Sequence, residues 1–360
     1  MQISQGVSQQ GGGNPAAEKV LKEGVELYQE GTAESLRKAI AKYQEALKLY
    51  REVGDRTGEA TTLHNIGAVY SDLGEKQKAL EYYSQSLPLR RALGDRAKEA
   101  TTLTSIGKVH SDLGEQQKAL EYYNQSLPLS RALGDAKGEA VTLASIGTVY
   151  DDLGEKEKAL GYYNQSLPLS RALGDRRGEA TTLTSIGRVY SDLGEKQKAL
   201  GYYNQSLPLS REAGDRRGEA VTLNSIGRVY SALGEKQKAL EYYSQSLPLR
   251  RAVGDRSGEA TTLNNIGLVY SDLGEQQKAL EYYNQSLPLR RAVGSRRGEA
   301  VTLASIGTVY SALGEKQKAL EYYNQSLPLT RAVGDRSGEA TTLNNIGIVY
   351  SELGEKQKAL

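Results

Sequence analysis

The chain has 360 residues, with 46 Lys and Arg against 44 Asp and Glu, for a net charge of +2. That balance argues against a nucleic-acid or membrane-surface protein, which carries a one-signed excess. The absence of Cys excludes disulfides, thiolate metal sites and Cys nucleophiles. With 24 Tyr but no Phe or Trp, and 39 Gly, the composition points to one motif copied many times.

In chain order, residues 1–14 are rich in Gln, Ser and Gly and are expected to be a disordered tail. They hold no apolar h-region of a signal peptide, and no run in the chain approaches the ~20 apolar residues of a membrane span. The expected setting is therefore the cytoplasm, without membrane contact. Residues 15–56 read as two helices, Glu18–Glu30 and 34–53. Ala39, Tyr43, Ala46 and Leu47 stand 40 residues before Ala79, Tyr83, Ser86 and Leu87, so this pair is a divergent copy of a unit repeated downstream. A terminal copy that differs is what capping of an array requires. From residue 57 the unit recurs every 40 residues: 57–96, 97–136, 137–176, 177–216, 217–256, 257–296, 297–336 and a truncated eighth, 337–360.

Each unit predicts two helices. Leu63, Ile66, Tyr70 and Leu73 fall at i, i+3, i+7 and i+10, one face of a 3.6-residue helix. Asp95, before the next first helix, suits an N-cap, and Ser295 in the one deviant copy is expected to cap as well. Gly74 suits a left-handed helix end. The second helix starts near Glu75, with Ala79, Tyr83, Ser86 and Leu87 on one side, and Gly94 closes the unit. Pro88 and its six copies lie inside that helix. At about 3 kcal/mol per interior Pro, the second helix is expected to bend or restart between residues 84 and 89. No segment alternates with period two, so the fold class is all-α, a solenoid of stacked helix pairs.

The pattern Leu63-x-x-Ile66-Gly67-x-x-Tyr70, Leu73-Gly74, Ala79-x-x-x-Tyr83-x-x-Ser86-Leu87 resembles the tetratricopeptide repeat (TPR) across residues 57–360. The resemblance implies antiparallel helix pairs wound into a right-handed superhelix, and Gly67 where the two helices cross closely. Leu63 stands where the family usually has a large aromatic. The unit is 40 residues rather than 34, with the surplus in Arg90–Asp95. That form is similar to the repeats of Pins/LGN polarity scaffolds, of kinesin light chain, and of bacterial arrays that precede a caspase-like (CHAT) peptidase domain.

Little in the sequence supports chemistry. His64 is expected on the polar face of a first helix. His110 replaces a Tyr and is expected to pack with its ring nitrogen hydrogen-bonded. Tyr82-Tyr83 could suggest an aromatic cage, but the spacing favours core. No phosphate loop, H-E-x-x-H or nucleophile elbow occurs, and the segment is expected to be no enzyme, with no catalytic, cofactor or metal site.

Copies of one column can be compared within the chain. Ile66 and Gly67 are the same in all eight. The residue-68 column varies through Ala68, Lys108, Thr148, Arg188, Arg228, Leu268, Thr308 and Ile348, and the residue-64 column includes Asn224, Asn264 and Asn344. Positions 61, 64, 68 and 72 point away from Ile66. The resemblance implies that this face lines a concave groove. It also implies that Asn65, Asn265 and Asn345 hydrogen-bond the main chain of a bound peptide, an amide offering both donor and acceptor. Asp112 and Asp192 stand at i+4 from Lys108 and Arg188 and are expected to pair with them. Arg228 has Ala232 there, making it the freest cation. The expected partner is a protein or an extended peptide, acidic near the middle repeats and apolar toward the C-terminal end, with no nucleic acid. The function read from this is an interaction scaffold. Alternatives are the sensor arm of a larger bacterial protein with a caspase-like peptidase domain, and a structural spacer. Leu360 corresponds to Leu80, a third of the way into a second helix, so the chain reads as a fragment whose uncapped end could self-associate.

Overall fold

The computed structural model describes residues 14–355 and 357. The tail expected at 1–14 and the start of a last second helix after Glu355 thus lie outside the described residues, residues 14 and 357 excepted; Asn14 caps the first helix, its Oδ1 accepting from the N–H groups of Ala16 and Ala17. Two helices come first, α1 (Pro15–Glu30) and α2 (Ala33–Glu52). First helices of the repeats are α3 (Arg56–Asp72), α5 (Arg96–Asp112), α7 (Ala136–Asp152), α9 (Arg176–Asp192), α11 (Arg216–Ala232), α13 (Arg256–Asp272), α15 (Arg296–Ala312) and α17 (Arg336–Glu352). Second helices are α4 (Lys76–Ala92), α6 (Gln116–Ala132), α8 (Lys156–Ala172), α10 (Lys196–Glu212), α12 (Lys236–Ala252), α14 (Gln276–Ala292) and α16 (Lys316–Ala332). No strand occurs among the described residues. The chain forms two compact units, residues 1–178 and 179–360, each with its own core.

Helix ends follow the expected chemistry. Asp55, Asp95, Asp135, Asp215, Asp255 and Asp335 each accept from the N–H three residues on. This satisfies a first-turn donor that the helix cannot. Ser295 departs from expectation and makes no side-chain cap bond. The cap backbone there has φ −79° and ψ 77°, short of the extended ψ at which Ser usually caps, and Ser lacks the extra atom that lets Asp reach. Gly74 has φ 79°, a left-handed conformation costly for any residue with a Cβ.

Each complete 40-residue repeat is held by the same two contacts. A Cβ on Gly67 would stand 2.8 Å from Tyr83 Cδ1, so the ring lies directly against the first helix. Ser86 Oγ donates to the Ala60 carbonyl at 2.7 Å, fully buried, and the bond recurs through Ser326 and Ala300 at 2.8 Å. Core layers then join each second helix to the next first helix. Ala79, Tyr83 and Leu87 pack on Leu103, Ile106 and Val109 in one unit, and Ala279, Tyr283 and Leu287 on Leu303, Ile306 and Val309 in the other. Tyr83 is thus wedged between its own repeat and the following one.

The expected restart at Pro88 does not occur: α4 runs unbroken from Lys76 to Ala92 with the proline inside. Ser84 and Pro88 are both exposed. The carbonyl of residue 84 loses its helical donor on the solvent side, where water replaces it, and the full cost of an interior proline does not apply.

Candidate functional site

Within each unit the first helices present an open face along the columns of residues 61, 65, 68 and 72. In the second unit, Arg228, Leu268, Thr308 and Ile348 are exposed along it, and Arg188 is half-buried. Leu268, Val301 and Ile348 are 46, 48 and 47% exposed, large aliphatic side chains that the fold leaves in water. In the first unit Lys108 is exposed, but Thr61, Asn65 and Ala68 are buried. Asn65 is fully enclosed, and neither amide atom has a hydrogen-bond partner among the described residues.

The residue-64 column does not lie on this open face. It forms the seam between consecutive first helices. His64, expected on a polar surface, is 3% exposed, with Nδ1 3.2 Å from Thr102 Oγ1 of the next first helix. Thr104 Oγ1 lies 3.2 Å from Thr142 Oγ1, and Thr184 Oγ1 2.9 Å from Thr222 Oγ1. Asn224 is buried. Its Oδ1 takes a hydrogen bond from Asn265 Nδ2 at 3.2 Å and lies 3.3 Å from Thr262 Oγ1. Asn264 Oδ1 accepts from Thr302 Oγ1 at 3.1 Å. So Asn224 and Asn264 tie repeats together, and Asn265 spends a donor on the same seam. Asn344 is exposed and Asn345 half-exposed on α17. Sequence periodicity gives a residue's face but not which neighbouring helix covers it, and a column of Thr, Asn and His reads equally as surface or as polar seam.

The charges are arranged across repeats as well. Lys108 Nζ meets Asp112 Oδ2 at 3.2 Å as expected, but Asp112 also takes Lys76 Nζ from the preceding second helix at 2.6 Å. Arg228 Nη2 stands 3.9 Å from Asp192 Oδ1 of the preceding first helix, so it faces a carboxylate the sequence spacing did not reveal. Burial pushes the Tyr203 hydroxyl up to about 12, with the positive charge of Arg228 opposing the shift. Burial, with Arg90 adding, lowers His64 to about 3, so its imidazole is neutral in the fold. His110 packs as expected: its ring stacks on Tyr122 at 5.3 Å, and Nδ1 lies 2.5 Å from Glu115 Oε2. Tyr82 stacks on Tyr70 at 5.5 Å while Tyr83 is core, which leaves no cage between them. Among the described residues no group of three or more His, Asp or Glu could hold a metal, and no helix is long and apolar enough to cross a membrane.

The family model for the tetratricopeptide repeat matches residues 32–92, 99–172, 139–212, 178–252, 218–292, 258–332 and 298–360. A search of curated proteins returned no match. Among solved structures, the fold is similar to the apo form of the quorum sensor NprR from B. thuringiensis, at 18% identity and TM-score 0.68, covering 87% of this chain and 87% of that one. It is also similar to a signal transduction ATPase with numerous domains (STAND) with a tetratricopeptide repeat sensor from Pyrococcus horikoshii. There identity is 16% and TM-score 0.69, covering 96% of this chain and about half, 52%, of that one. A Rap protein complexed with Competence and Sporulation Factor matches at 14% identity and TM-score 0.60, over 94% of this chain and 99% of that one. With the pattern, the helix pairs and the matched residues in agreement, this chain belongs to the tetratricopeptide repeat family.

Proposed function

We propose that the chain is a binding module that takes an extended protein segment along the open face of its first helices, the concave groove of the family. One observation carries this reading. In the second unit, exposed Leu268, Val301 and Ile348 share that face with exposed Arg228, while the Leu, Ile and Gly of the columns of residues 63, 66 and 67 are the same in every copy. Aliphatic side chains left in water beside a cation suit a partner with matching apolar and acidic groups. Rap, similar in fold, is described as complexed with a factor, which supports a binding role. Of the residues named from the sequence, Arg188, Arg228, Leu268 and Asn345 of the second unit are proposed to serve, with Val301 added; Lys108 holds the column of Arg188 and Arg228 in the first unit. Asn65, Asn224 and Asn264 act in the interior or the seam. Binding rather than catalysis is the proposed activity, in a cytoplasmic setting.

A displayed random-peptide library selected on the full 1–360 chain tests this. Enriched peptides should carry acidic and aliphatic residues and should lose binding to the Arg188→Glu, Arg228→Glu double variant at unchanged helicity. Peptides that bind the double variant equally well would overturn the groove reading. A second reading, favoured by the likeness to the STAND protein with its repeat sensor, makes the array the sensing arm of a larger regulator. A His and Cys pair encoded downstream in the full-length gene would select the caspase-like peptidase form of it.

A further inference from the structure

Consecutive repeats are joined by a charge tie. In three repeats the lysine that opens the second helix reaches the last turn of the following first helix. Lys76 reaches Asp112, and in the second unit Lys236 reaches Asp272 and Lys316 reaches Glu352. Where the second helix opens with a neutral Gln, the position 36 residues on is Ala312 for Gln276 and Asp152 for Gln116. Lys196 breaks the pattern, because it faces Ala232. Its Nζ turns to the main-chain carbonyl of Ala232 at 2.6 Å, a neutral acceptor in place of a carboxylate. One turn back on the same face of α11 is the exposed Arg228, with Asp192 Oδ1 3.9 Å away, longer than a charge-assisted hydrogen bond. In the first unit Lys76 and Lys108 both meet Asp112; Lys196 and Arg228 hold the corresponding places about position 232, where the acid is replaced by Ala232.

We infer that this point is an acid-binding subsite of the groove: a glutamate or aspartate side chain of the bound segment docks between Lys196 Nζ and the Arg228 guanidinium. The inference rests on the groove reading above and narrows it. Adjacent packed helices lie about 8–10 Å apart, and an extended chain advances about 3.3 Å per residue. Leu268, exposed one repeat further on the same face, is thus reached about three residues from the acid, and Ile348, two repeats beyond, about nine residues from it. The ligand is an extended acidic peptide with an aliphatic side chain three residues from its carboxylate.

The probe is a fluorescein-labelled twelve-residue peptide of serine and threonine with glutamate second and leucine fifth and eleventh. Its twin carries glutamine for glutamate, and each is also made in reversed order. Anisotropy with the full chain in low salt should show one order of the glutamate peptide binding about three- to tenfold tighter than its glutamine twin. That advantage should vanish above ~0.5 M salt. It should also vanish in Lys196→Gln and in Ala232→Asp, the latter installing an acid that sister repeats carry, so folding is preserved. Equal binding of the twins, or an advantage that survives Ala232→Asp, overturns the subsite. If the twins bind alike and both are lost in Leu268→Glu, the groove reading stands and the subsite alone falls. If neither binds, the subsite falls, and the library selection decides the groove separately.

Discussion

The inside of a helix pair and the seam between pairs are built differently. Inside the pair, the Gly67–Tyr83 contact and the Ser86–Ala60 hydrogen bond recur with the same residues and nearly the same distances to Gly307, Tyr323, Ser326 and Ala300. At the seam the invariant Thr of the residue-62 column meets His64, Thr104, Asn224 or Asn264, and at Thr342 it meets Ala304, which offers no polar group. The contacts that close one repeat keep the same residues in all seven complete repeats. A contact that sets how one repeat meets the next can be varied copy by copy, and each variant changes only a local joint.

The largest effect expected from breaking this contrast is at Gly227. A Cβ there would stand 2.6 Å from Tyr243 Cε1, inside the core. Gly227→Ala should destabilise by about 2–3 kcal/mol through overpacking, read as a fall in the urea midpoint. Gly201, on an exposed helix position with nothing within 4 Å, is the control, and Gly201→Ala should stabilise by about 0.5–1 kcal/mol. Equal effects would show that the close approach is not what selects Gly.

The seam of the first repeat is the ionisable one. His64 is lowered to about 3 in the fold, against an ordinary value near 6.5 when unfolded. Between those values the unfolded chain binds the extra proton. Its contribution is therefore complete above about pH 6.5 and is lost as pH falls toward 3, at up to about 1.4 kcal/mol per pH unit. His64→Thr, the residue found at Thr104, should flatten that part of the stability–pH curve relative to the parent chain. Parallel curves would refute the assignment.

Single hydrogen bonds should give smaller effects. Ser246→Ala removes the buried bond to the Ala220 carbonyl, 2.8 Å in the structure, and should cost about 1 kcal/mol by thermal melt. Ala304→Thr should add about 0.5–1 kcal/mol by giving Thr342 the hydroxyl partner that Thr184 gives Thr222. It should also slow amide exchange locally on α17. No gain would mean that the seam hydrogen bonds are energetically idle.

The pair interior was legible in the sequence because it obeys local rules. Helical spacing marked Leu63 and Ile66, glycine marked the crossing at Gly67 and the end at Gly74, and Asp95 marked a cap. The seam and the open face were less legible. Arg228, read from the sequence as the freest cation, is brought to within 3.9 Å of Asp192, 36 residues before it, by the stacking of repeats. His64 and Asn224 are polar residues whose burial depends on the next repeat's threonine. Ser295 has the chemistry of a cap but not the reach. Of the bend or restart expected at Pro88, the restart does not occur, because composition alone does not say which side of a helix faces water.

That proline carries a consequence for a chain of near-identical units. Copies so similar are prone to pair wrongly with one another during synthesis or after partial unfolding. The segment from Tyr122 to Leu129, with two tyrosines, two leucines and no charge, has the makings of a strand that could stack on its own copies. Pro128 lacks the N–H that such a ladder requires at that residue, so a β-stack through this segment would leave an acceptor unmatched in every layer. In the native helix the same defect faces solvent, which is able to supply the missing donor. The residue that costs the helix little thus guards each of the seven complete repeats against amyloid-like association.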